Sequence, residues 1–144
     1  MDLTSTESIR LTVPATAAAV RIARAGAAGL ATRAGFTYHE VEEVRLAVGE
    51  AAALLAIDPD EASAPTGTLG LTFQVGGDAL LVEMQLAGDG DRAGPAGGLG
   101  TAGGVPAVAS AVLDAAVDSW RIEDGGRRIV LRKQLTDTDG DDDD

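Results

Sequence analysis

The sequence predicts an α+β domain: a two-layer α/β sandwich with one mixed, mostly antiparallel sheet and helices on one face. Three observations predict it. Short runs that alternate apolar and polar residues stand at both ends and in the middle of the chain. Three stretches between them carry apolar residues at helical spacing. Their order is strand, helix, helix, hairpin, helix, hairpin, which suits one sheet covered on one side.

The first strand is "SIRLTVP", where Ile9, Leu11 and Val13 alternate with polar residues and Pro14 ends the run. A helix follows in "ATAAAVRIARAGAAGLATRAG", closed by Gly35 at the position where helices end in glycine. Gly26 and Gly29 weaken this helix unless another backbone packs closely there. The best-specified element is a long helix from Tyr38 to Ile57. Thr37 and Glu40 form a capping box before it, and Phe36 and Val41 stand in the staple positions. Val41, Val44, Val48, Ala52 and Leu55 form one stripe; Leu46, Glu50, Leu54 and Ile57 form another opposite. A helix apolar on both sides is expected between layers. Its one central acid, Glu50, then points into the second layer or a pocket, although an ionised carboxylate is costly to bury.

After the polar loop "DPDEASAPTGT", the runs "LGLTFQV" and "LLVEMQL" flank "GGD" and predict a hairpin. A glycine-rich loop, "AGDGDRAGPAGGLGTAGG", precedes a third helix in "VPAVASAVLDAAV", with Pro106 near its first turn. A second hairpin turns at "DGG" and ends in a strand alternating through Ile129, Leu131 and Leu135. Trp120 is expected at the sheet edge or the base of the third helix. His39 is expected to be exposed.

Composition narrows the function. The chain has 144 residues, 45% of them hydrophobic, enough for one domain with a core. With no cysteine there is no disulfide or thiolate metal site, and one histidine cannot build a histidine-rich zinc site, so no metal site is expected. The start lacks a secretion signal and no run is long enough to span a membrane, so a cytoplasmic protein is expected. The net charge is −12, half of it from the six aspartates of "DTDGDDDD". So acidic a body disfavours nucleic acid and favours a protein partner. Residues 1–135 read as the domain and 136–144 as an acidic, disordered tail.

The element order and the text "IRLTVPA" and "AGFTYHEVEEVRLAVGEA" resemble the anti-sigma-factor serine protein kinases of bacteria, in the GHKL ATPase superfamily with its Bergerat fold. The resemblance covers nearly all of the chain before the tail and is tightest in the first half. It implies a GHKL-type sandwich and a site for ATP and magnesium. In such proteins a Glu that activates the attacking hydroxyl and a magnesium-binding Asn lie four residues apart on one helix face. The resemblance assigns Glu50 to the Glu place and Leu54 to the Asn place. Leucine has no oxygen for magnesium. The Asp-x-Gly-x-Gly motif, whose Asp reads adenine, aligns with "LAGDG": Gly88 and Gly90 are present and Leu86 holds the Asp place. The lid glycines align with Gly98 and Gly100, next to a helix start that can cradle an anion. Arg128 stands at the place of the Thr in a Gly-x-Thr turn.

The resemblance thus implies an anti-sigma-factor-like regulator that binds a sigma factor or an anti-anti-sigma antagonist, with weak or no ATP binding. The alternative it implies is an active serine kinase that phosphorylates the antagonist, with Glu50 as base. Arg24, and with it Arg21, falls where such proteins contact both partners. A homodimer through the first strand and first helix is also implied; no direct nucleic-acid contact and no membrane are expected from the charge and from the lack of a spanning run.

Overall fold

The computed structural model describes residues 6–55, 67–76, 78–88 and 105–135. Strand β1 (Thr6–Pro14) leads into helix α1 (Ala17–Ala34) and helix α2 (Tyr38–Leu54). Strands β2 (Gly67–Gly76) and β3 (Ala79–Gly88) form the first hairpin. Helix α3 (Ala107–Ala116) precedes β4 (Ser119–Glu123) and β5 (Arg128–Gln134), joined by a short 3₁₀ turn at Asp124–Gly126. The five strands run in the order β1-β2-β3-β5-β4. Every described pair is antiparallel, so the sheet is not mixed as expected. Together the elements make the predicted two-layer α+β sandwich, with a five-stranded antiparallel sheet and three helices.

Local chemistry fixes the helix ends. The Thr16 hydroxyl accepts from the Ala19 amide at 3.1 Å and caps α1. Gly35 ends α1 at φ 101°, a left-handed conformation that favours glycine. The next amide, Phe36, donates back to the Ala31 carbonyl, completing a Schellman-type stop. The capping box of α2 forms as the sequence requires: Glu40 N–H donates to the Thr37 hydroxyl, and Thr37 N–H to the Glu40 carboxylate. Phe36 and Val41 are both buried, as a hydrophobic staple demands. The Glu40 acid is buried because the cap uses it.

Register sorts the sheet into two faces. Val13, Leu69, Leu71, Phe73, Val82, Met84, Ile129 and Leu131 are buried under the helices. The alternate residues, including Arg10, Thr72, Glu83 and Arg121, lie on the other face. From the helix layer, α1 contributes Ala23, Ala27 and Ala31, all fully buried. These four-residue steps present only methyl groups, so α1 and α2 pack closely.

Helix α2 departs from expectation in one respect. The stripe Val41, Val44, Val48, Ala52 and Leu55 is buried. The second stripe is not buried throughout: Leu46 is 54% exposed and Glu50 half-buried, while Leu54 is buried. The helix is not sandwiched between layers. It packs on the sheet below and on α1 and α3 at its flanks, so neighbours within one layer account for its wide apolar arc. It ends at Leu54 with Leu55 as cap, and Ile57 lies outside the described residues. The α1 glycines also differ from expectation. A Cβ at Gly26 would make ordinary contact with Leu11, and one at Gly29 would meet nothing, so neither marks a close approach. Among the described residues, no helix is long and apolar enough to cross a membrane.

Candidate functional site

Pairing brings Leu86, Gly88 and Arg128 to one end of the sheet. Gly88 closes β3 opposite Gly67 of β2. Arg128 opens β5 opposite Gln85 of β3 and Glu123 of β4. Glu50 and Leu54 stand one turn apart near the C-terminal end of α2. Gly90, Gly98 and Gly100 lie outside the described residues, as does the tail 136–144.

Leu54 is 5% exposed and sits in the core cluster. Glu50, four residues earlier, is half-buried and forms no hydrogen bond or ion pair with a described residue. Leu86 lies opposite Leu69, on the sheet face that meets the helices. Its amide donates to the Arg127 carbonyl at 3.0 Å, and Arg127 Nη2 donates to the Leu86 carbonyl at 3.3 Å. Two hydrocarbon side chains thus occupy the places that the resemblance assigns to a metal ligand and a base reader. Neither offers an oxygen to magnesium. Among the described residues, no three His, Asp or Glu side chains are grouped to hold a metal.

The turn before β5 is built from left-handed residues, Asp124 at φ 60°, Gly125 at 65° and Gly126 at 92°. Asp124 accepts a long hydrogen bond from Gln85 Nε2. Arg128 joins Glu83 at 3.4 Å and Glu123 at 3.3 Å, and Arg121 also pairs with Glu123. The Arg121 hydrogen bond, more than any other contact, holds the Glu123 carboxyl below its ordinary value of 4.5; the charges of Arg121 and Arg128 act in the same sense. This end of the outer face is a network of ion pairs.

The two α1 arginines differ. Arg21 is exposed and Arg24 is half-buried. The Arg24 side chain lies across α2 at Gly49: a Cβ built there would stand 3.2 Å from Arg24 Cδ and 3.5 Å from Nε. Arg24 Nε is out of water with no hydrogen-bond partner. Sequence reasoning missed Gly49, although a glycine inside an otherwise well-formed helix was a readable signal.

It also missed Lys133. Its ammonium donates to Glu43 at 2.8 Å and to the Ala116 carbonyl at 2.9 Å, with the residue only 9% exposed. It borders a small void lined by Val44, Val48, Leu80, Val82 and Leu131, apolar and far too small for a nucleotide. The signal was parity: Ile129, Leu131 and 133 point inward, so the last inward residue of β5 is Lys133 rather than Leu135. His39 and Trp120 lie as expected. His39 is exposed on the first turn of α2, 3.2 Å from Glu43. Trp120 is half-buried on the edge strand and donates to Asp114 near the end of α3 at 2.8 Å.

The chain is similar to the serine-protein kinase RsbW of Halalkalibacterium halodurans, with 36% identity over 74 residues. The match covers 51% of this chain and 44% of that protein, so less than half of the relative's length is spanned. No family model matches the chain.

Proposed function

We propose that this protein is an anti-sigma-factor-like regulator of the cytoplasm, acting by binding rather than by phosphoryl transfer. It holds a sigma factor away from RNA polymerase until an anti-anti-sigma antagonist competes for it. The observation that carries this reading is the 36% identity to a serine-protein kinase, in a chain with the α+β architecture that such a kinase is expected to have. Support for weak or absent ATP binding comes from buried Leu54, which gives magnesium nothing to bind where the resemblance expects an amide oxygen. Leu86 likewise cannot accept the hydrogen bond by which adenine is read. The test is a pull-down from the native host with and without ATP, the captured proteins being identified by mass. Recovery of a sigma factor or antagonist-type protein, indifferent to ATP, is expected. Recovery of neither removes the reading.

One observation favours a second reading. Glu50 is half-exposed near the end of α2, so its carboxylate is not sealed in the core. An active serine kinase would use it to orient or deprotonate the acceptor hydroxyl. Calorimetry with magnesium and ATP separates the two: no measurable heat is expected, and micromolar affinity would remove the degenerate-site reading.

A further inference from the structure

Gly49 sits in the interior of α2, five residues before its end, where glycine lowers helix stability relative to alanine. Nothing in the backbone demands it, since Gly49 is not among the residues of positive φ. What it provides is room. The aliphatic stem of Arg24 crosses from α1 over the bare backbone of α2; a Cβ would stand 3.2 Å from Cδ, tight enough that the stem must shift by a few tenths of an ångström, and in ordinary contact with Nε and Cζ. No such contact exists at Gly26 or Gly29.

Arg24 pairs with none of the described acids, although Asp and Glu outnumber Lys and Arg by 23 to 11; Arg10, Arg21 and Arg132 are likewise unpaired, but none of them lies against a glycine of another helix. The Arg24 Nε–H is buried and unsatisfied, and a buried donor without an acceptor calls for an explanation. A guanidinium is a rigid fork suited to a carboxylate, and holding it in place before binding removes the cost of ordering it afterwards. We propose that Gly49 is a positioning residue: it seats Arg24 across α2, so that the guanidinium is preorganised to receive a carboxylate of a protein partner. This inference rests on the binding role proposed above and adds to it the residue that aims the arginine.

The test uses the full chain with labelled arginine. In the parent protein the Arg24 Nε–H is expected to give a dispersed, slowly exchanging resonance. Gly49→Ala should melt no lower than the parent, because alanine favours the helix. Its Arg24 Nε–H should nevertheless exchange at the rate of an exposed arginine. Affinity for the protein captured in the pull-down should fall about tenfold in Gly49→Ala, as expected for a misplaced charge-assisted hydrogen bond. It should fall at least as far in Arg24→Ala, and no further when both changes are combined. An unchanged Arg24 resonance in Gly49→Ala overturns the seat. Losses that simply add overturn the positioning role. Capture of no partner overturns the carboxylate role together with the functional reading, while the resonance still decides the seat.

Discussion

Lys133 shows how one side chain ties three elements together. A lysine on the buried face of a strand is tolerated only where its charge is paired and its protons are used. Here the partners are Glu43 on α2 and the carbonyl of the last α3 residue, where a cation also suits the helix dipole. Lys133→Ala is expected to cost about 2–3 kcal/mol in urea denaturation, since it leaves both acceptors without their donor. Lys133→Met, which keeps the stem's volume, should cost less. Glu123 gives a pH-dependent counterpart on the outer face. Its folded-state pKa is lowered, so its stabilising contribution is present above the ordinary value of 4.5 and is lost as pH falls below that value through the folded one. Arg121→Ala should flatten that part of the acid limb of a stability–pH curve, and an unaltered limb would count against the pairing.

The elements of the first half are specified by local signals, and those signals held. The capping box at Thr37 and the left-handed stop at Gly35 together set where α1 ends and α2 begins. Thr37→Ala should destabilise the protein by about 1 kcal/mol in thermal melts, through the lost cap. Gly35→Ala should cost roughly 1–2 kcal/mol, because its φ of 101° disfavours any Cβ. A smaller effect at Gly35 than at Thr37 would mean that the stop can relax. The face assignment of α2 was less legible. Periodicity identified an apolar arc, but could not say whether a layer or a neighbouring helix covers each part of it. Leu46 was therefore expected to be buried and is exposed. Buried Lys133 was missed for the opposite reason, since its polarity hid a strand parity that the structure obeys.

At the scale of the molecule, half of the net charge comes from the last nine residues of the sequence, 136–144, while the sheet and helices that form the core lie within residues 6–135. A chain ending at Leu135 is expected to melt within about 2 °C of the full chain, the small effect expected for removal of a like-charge run. A larger drop would show that the tail supports the fold. The site end of the sheet is likewise a property of the whole. Antiparallel pairing carries Leu86, Gly88 and Arg128 to one end of the sheet although they are distant in sequence.

The sequence by itself determined the element order, the caps and the hairpin turns. These follow from period, turn chemistry and neighbouring residues, all of which are local. Only the tertiary structure decided that the described strands all pair antiparallel and that α2 is flanked within one layer. It alone placed Arg24 over Gly49 and set Lys133 between Glu43 and Ala116. Those facts depend on which surfaces meet, and contacts between residues far apart in the chain leave no periodic trace along it.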